Sequence, residues 1–244
     1  LPKTFEDVDG YKREIRLLVP GYETLHEASV ALLQATLGSH TGARILVVGC
    51  GSGDEVVTLA KAESTWRIDA LEPSSAMTES ARQAVIEHGL EDRVTIHPVS
   101  LEDFVSRRAY DAVVSILVGH FIPDDGTRAR FYQQVAGLLR IGGHLILAEF
   151  DNRGAWQDRS TSAHVIWSQR AGLSENRSML LRQRLDEAFH SLTSDRLASL
   201  LHAAGLQMKG DFFRCFGISG MLVEKRPKVA DSNTGRTDGG CHAR

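Results

Sequence analysis

The stretch RILVVGCGSGD, residues 44–54, decides the fold of this chain. Four aliphatic residues, Ile45, Leu46, Val47 and Val48, break abruptly into Gly49, Cys50, Gly51, Ser52 and Gly53 before Asp54. A strand without polar alternation is buried on both faces, as in a parallel sheet held between helices. The glycines at its end bring bare backbone close to a ligand. Glu72 closes the next apolar run, about 20 positions beyond Gly51, where a carboxylate accepts hydrogen bonds from a ribose. A glycine turn alone also serves as a tight turn with no ligand; the later acid is what adds the nucleoside.

The spacing bears on which nucleoside. Gly49, Gly51 and Gly53 recur at every second residue, and the position of the third glycine of a dinucleotide fingerprint holds Asp54. That disfavours a pyrophosphate. S-adenosyl-L-methionine carries no phosphate and needs only room for its methionine moiety and a sulfonium, which a GxGxG loop provides. It is the expected cofactor.

Outward from this loop, strand-like runs at residues 44–48, 68–72, 94–98, 112–117 and 144–150 alternate with helical periods at 55–62, 76–88 and 128–139. The last helix is read as closing at Gly142 and Gly143, just before the fifth strand. The pattern is a doubly wound α/β sheet. After Phe150 the alternation stops, and residues 151–192 read as a helical insertion placed to roof the crevice. A helix at 194–204 and two strand-like runs, 207–213 and 216–224, complete a mostly parallel seven-stranded sheet with an antiparallel C-terminal strand. The domain is expected to span 19–225, with an N-terminal segment at 1–18 and a disordered tail at 226–244.

The 244 residues, 42% hydrophobic and 24% charged, suffice for one such domain. A net charge of −3 gives no global basic field for nucleic acid. Three scattered cysteines, Cys50, Cys215 and Cys241, suit a cytoplasmic protein rather than a disulfide framework. The apolar runs are strand-length, so no membrane span is expected. The ten histidines are dispersed, so no metal is expected either.

From about Val19 to Glu224 these residues resemble the class I S-adenosylmethionine-dependent methyltransferases. Residues 19–22 (VPGY), 177–180 (RSML), 201–205 (LHAAG) and 213–216 (FRCF) further resemble the tRNA uridine-5-oxyacetate carboxymethyltransferases and their relatives. The resemblance implies cofactor contacts from Tyr22, Gly49, Cys50, Gly51, Glu72, Pro73, Ser100, Leu101 and the position of Ile116, with Met77 as a further candidate cofactor contact, and it implies a homodimer. Ile116 stands where that family has asparagine, Glu72 where it has aspartate, and Ser100 where it has another aspartate. Arg177 matches the arginine that pairs with the extra carboxylate of carboxy-S-adenosyl-L-methionine. From residue chemistry alone, Arg177 calls for an anionic partner: a donor carboxylate, an acidic substrate or a protein acid, with Asp186 or Glu187 as structural candidates.

On the acceptor side, His120 is the candidate base or acceptor-positioning group, just past the fourth strand and followed by Phe121; it also reads as a loop cap. His164 and Trp167, three apart, read as one face of the roof or as ordinary packing. His26, four residues beyond Tyr22, reads as the other side of the mouth. The leading expectation is in-line methyl transfer to a small-molecule acceptor. Carboxymethyl transfer to a tRNA wobble uridine stands second, and a cofactor-bound regulatory subunit without catalysis stands third.

Overall fold

A computed structural model describes residues 7–38, 40–151 and 154–227; the expected tail from residue 228 onward, Cys241 included, lies outside them. Seven strands form one sheet in the order β3-β2-β1-β4-β5-β7-β6, from β1 (Arg44–Val48), β2 (Arg67–Leu71), β3 (Val94–His97), β4 (Tyr110–Ile116), β5 (Leu139–Phe150), β6 (Leu206–Cys215) and β7 (Ile218–Lys225). The first five run parallel, and β7 is antiparallel to both β5 and β6. Strand order reverses between β1 and β4, so the crevice for a ligand opens beyond their carboxyl ends.

The pleat of β1 explains its unbroken apolar run. Ile45 and Val47 pack into one core with α2 (Tyr22–Leu37), α3 (Asp54–Ala62) and α4 (Ser75–Glu87). Leu46 and Val48 pack into the opposite core with α5 (Thr127–Leu138) and α8 (Ser194–Ala203). Side chains alternate across a strand, so covering both faces requires every position to be apolar. Local capping agrees: Ser74 accepts from the Met77 amide at the start of α4, and Thr193 accepts from the Arg196 amide at the start of α8.

Sequence marks residues 1–18 only as an N-terminal segment; in the structure α1 (Val8–Leu18) occupies most of it, capped by Asp7, which accepts from the Gly10 amide. Tyr11, Ile15 and Leu18 fall on one helical face and join a small third core with Leu181, Leu185 and Phe150. The fifth strand begins at Leu139, five residues before the expected start, and Gly142 and Gly143 lie within it. They sit at a register shift against β4, where a Cβ at Gly143 would come within 2.9 Å of the Arg140 carbonyl oxygen. These glycines therefore make a bulge instead of a helix stop.

After β5 the insertion is helical as expected, comprising α6 (Gln157–Arg170), α7 (Glu175–Gln183) and a π turn (Arg184–Ala188). It meets α1 above the carboxyl ends of the strands, and together they form a roof.

Candidate active site

Beneath this roof lies a cavity of about 1320 Å³. Of the site residues expected from sequence, Tyr22, His26, Gly49, Cys50, Gly51, Glu72, Pro73, Met77, Ser100, Leu101, Ile116, His120, Phe121 and Arg177 all line it. His164 and Trp167 do not.

The glycine bend is held from below. The amides of Gly49 and Cys50 both donate to the Leu71 carbonyl, at 2.9 and 3.0 Å, which pins the bend to the end of β2. Gly51 has φ +53° and a Cβ there would meet no protein atom within 4 Å, so its backbone borders open space. Gly53, at φ +93°, serves packing instead: a Cβ would lie 2.8 Å from the Ala81 Cα, so its absence lets α3 pack against α4.

Glu72, 9% exposed, faces the bend. Its Oε2 accepts from the Gly51 amide and its Oε1 from the Ser74 amide, each at 2.9 Å. Burial raises its pKa, opposed by those two hydrogen bonds. A carboxylate has about four acceptor positions, so half remain for the hydroxyls of a sugar. Open space at Gly51 beside a fixed acceptor fits the adenosine portion of S-adenosylmethionine. Pro73, Met77, Ser100 and Leu101 extend this wall toward β3, and Ser100 Oγ donates to Asp103 at 2.7 Å.

Across the reversal point, Leu117 follows β4 at φ +57°, a left-handed conformation that turns the chain into a short 3-10 segment, Gly119–Phe121. His120 is 2% exposed and packs against Phe121, Phe150 and Phe189, at centroid distances of 4.0, 4.8 and 4.3 Å. Its Nδ1 has no hydrogen-bond partner. Burial, then Arg128 and His190, push its pKa down to about 3, so the ring is neutral at ordinary pH.

Behind His120 sits a buried polar cluster. Arg128 lies 3.5 Å from Glu149, and Tyr132 donates to the same carboxylate at 3.0 Å. Arg128 also donates to the carbonyls of Ile122 and His190, tying the segment after β4 to the end of the insertion. Burial pushes Glu149 up to about 7 despite these partners.

Tyr22, His26, Glu55 and Asp54 form the wall nearest α2 and α3. The Tyr22 and His26 rings meet edge-on at 4.4 Å, and His26 Nδ1 lies 3.8 Å from Glu55 Oε1. Burial lowers the His26 pKa to about 4 and raises that of Glu55 to about 8.

Arg177 reaches the cavity from α7 and pairs with Glu14 of α1, not with Asp186 or Glu187. Those two acids face Arg182 and Gln183 instead. An acid of the chain itself thus stands against Arg177, whose side chain is 42% exposed. His164, 1% exposed, donates from Nε2 to the Leu18 carbonyl at 2.8 Å and stacks on Phe150 and Phe216. It fastens the insertion to α1, which takes its ring away from the cavity. Trp167, on the same helix, is half-buried and also stands off it.

Sequence reasoning missed Tyr11, Glu14, Glu55, Phe150 and Phe189, all on the cavity wall. The spacing of Tyr11, Ile15 and Leu18 was a readable signal for α1. Glu55 carried none, because an acid in the first turn of a helix ordinarily faces solvent. Among the described residues no group of three His, Cys, Asp or Glu side chains is placed to hold a metal ion, and no helix is long and apolar enough to cross a membrane.

Residues 46–145 match the family described as "Methyltransferase domain". The chain is 29% identical over 131 residues to 27-O-demethylrifamycin SV methyltransferase of Amycolatopsis mediterranei, covering 52% of this chain and 47% of that protein. It is 31% identical over 187 residues to a malonyl-[acyl-carrier protein] O-methyltransferase of Priestia megaterium, covering 76% and 61%. The chain thus spans about half the length of the curated relatives it matches. Magnesium protoporphyrin IX methyltransferase of Synechocystis PCC 6803, solved with bound SAM, superposes with a TM-score of 0.62 at 17% identity, over 92% of this chain and 86% of that one. Residues 46–145 thus match a methyltransferase-domain family, and the chain shares the fold of a solved methyltransferase.

Proposed function

We propose that this chain, built around a methyltransferase domain, transfers a methyl group from S-adenosylmethionine to a small-molecule acceptor. The observation that carries this reading is a single cavity joining the Gly51–Glu72 seat to the aromatic wall around His120. The relatives with named small-molecule or carrier-bound acceptors support it.

When bound, S-adenosylmethionine supplies an electrophilic methyl on a sulfonium. The chain contributes alignment and exclusion of water, which are the main requirements of an in-line displacement. Glu72 and the Gly49–Gly51 backbone hold the nucleoside, and Phe121, Phe150 and Phe189 bound the acceptor's space. His120 suits hydrogen bonding to the acceptor better than taking its proton, because a second positive charge would be buried near Arg128. Carboxymethyl transfer would require Arg177 to exchange Glu14 for a donor carboxylate; its ion pair with Glu14 favours the methyl reading.

The test is a binding and transfer experiment. The purified chain is titrated with S-adenosylhomocysteine, and methyl-labelled S-adenosylmethionine is incubated with a panel of hydroxylated and carboxylated small molecules. Saturable binding with label transfer to at least one acceptor is expected. Absence of binding refutes the reading, and co-purified carboxy-S-adenosylmethionine detected by mass spectrometry replaces it with the carboxymethyl one.

A further inference from the structure

The cavity wall beside α2 and α3 holds polar atoms that nothing in the protein satisfies. Both ring nitrogens of His26 and Oε1 of Glu55 are buried without a hydrogen-bond partner. Nearly all buried polar groups in folded proteins are paired, so three unpaired atoms on two adjacent side chains of a cavity mark a place where a ligand completes the bonding. The chemistry of the ligand follows from its surroundings. Tyr11, Tyr22 and Cys50 are the titratable groups that feel Glu55, and Asp54, Glu23 and Arg16 act on His26. The one cation among them, Arg16, is paired with Glu23 at 2.6 Å. The wall is rich in acceptors and poor in positive charge, and it suits a cationic group with several N–H donors.

Direction narrows the choice. Glu72 and the residues toward β3 take the adenosine, and the aromatic wall beyond β4 lies on the other side. The remaining way out of the glycine bend leads to α2 and the first turn of α3. The donor's amino-acid tail, with its α-ammonium group, has this path open to it.

We propose that His26 and Glu55 seat the α-ammonium of the donor, and that Glu55 releases its proton to solvent when the ammonium arrives. The inference rests on the donor reading above. Before the donor binds, burial keeps Glu55 protonated at neutral pH; the arriving ammonium stabilises the carboxylate and offers donors to it and to the neutral imidazole. Glu55 loses one proton, no other bond changes, and the ligand keeps its charge.

The proposal is tested by calorimetric titration of the whole chain at pH 7, in phosphate and in Tris, whose ionisation enthalpies differ. S-adenosylhomocysteine is compared with 5′-methylthioadenosine, which keeps the nucleoside and thioether but lacks the amino-acid tail, ammonium and carboxylate together. Release of about one proton is expected with the former and none with the latter. Glu55→Gln is expected to weaken S-adenosylhomocysteine about tenfold or more, abolish the proton release, and leave methylthioadenosine affinity unchanged. Proton-neutral binding of S-adenosylhomocysteine, or equal weakening of both ligands, overturns the ammonium seat while the donor reading survives. Failure of both ligands to bind the unaltered chain overturns the donor reading itself. Should Glu55→Gln not fold, the two-buffer comparison on the unaltered chain decides alone.

Discussion

Replacing Glu72 by Gln isolates the charge at the proposed cofactor seat without changing its size. Each carboxylate oxygen accepts one backbone N–H, from Gly51 and Ser74, at 2.9 Å. In the amide one of those oxygens becomes an NH2 that faces a donor, so one tether of the glycine bend, itself a hydrogen bond to a charged group, is lost, at about 1.5–3 kcal/mol. The fold regains something in exchange, since burial already disfavours the ionised carboxyl. The two effects oppose, so the melting temperature should fall by less than the lost tether alone implies. Binding has no such compensation. A hydrogen bond to a charged group is worth about 1.5–3 kcal/mol, which corresponds to a loss of donor affinity of about 10- to 100-fold. Calorimetry with S-adenosylhomocysteine, paired with a thermal melt, measures both. Affinity within about threefold of the unaltered chain would refute the role of Glu72. So would a loss of affinity that merely tracks a loss of folded protein.

Three further outcomes follow. Gly51→Val should retain native circular dichroism, because its side chain enters open space, with about 1–2 kcal/mol of left-handed backbone strain; donor titration should show no binding, and normal binding would reassign the bend. Gly119→Ala should lower stability by about 1–3 kcal/mol in denaturant melts, because its Cβ would fall 1.9 Å from the buried Glu149 carboxylate; an unchanged midpoint would contradict that packing. Glu55 has a folded-state pKa near 8 against an ordinary 4.5, so the native chain holds a proton the unfolded chain has lost between those values. Its contribution to stability is fully present below about pH 4.5 and is lost as pH rises to about 8. The stability of Glu55→Gln relative to the unaltered chain should therefore increase from pH 5 to pH 8 in guanidinium melts, and a flat difference would show that Glu55 is not buried as described.

What sequence could reveal followed the range of the forces involved. The Ile45–Val48 run sits between two cores, so its burial on both faces was written in four consecutive residues, and the bend and Glu72 lie at a separation fixed by one strand-helix-strand unit. Helix periods also located the insertion. Pairings across the chain were not written locally. Arg177 advertised a need for an acid, but the one that answers it, Glu14, lies 163 residues away and is brought near by α1. His164 and Trp167 share a spacing that places them on neighbouring parts of a helix surface, yet spacing does not say which surface is turned to the cavity; the Leu18 carbonyl decides that for His164. The glycines at 142 and 143 read as a helix stop because a bulge in a strand uses the same residue type.

The roof has a practical consequence for anyone shortening this polypeptide. Glu14 to Arg177 and the Leu18 carbonyl to His164 both stitch the first helix to the late insertion. A fragment trimmed to residues 46–145 would keep the bend and its partner acid but forfeit both halves of the ceiling. What remained would be a ledge open to bulk solvent, able to grip a nucleoside and unable to keep a reacting pair dry.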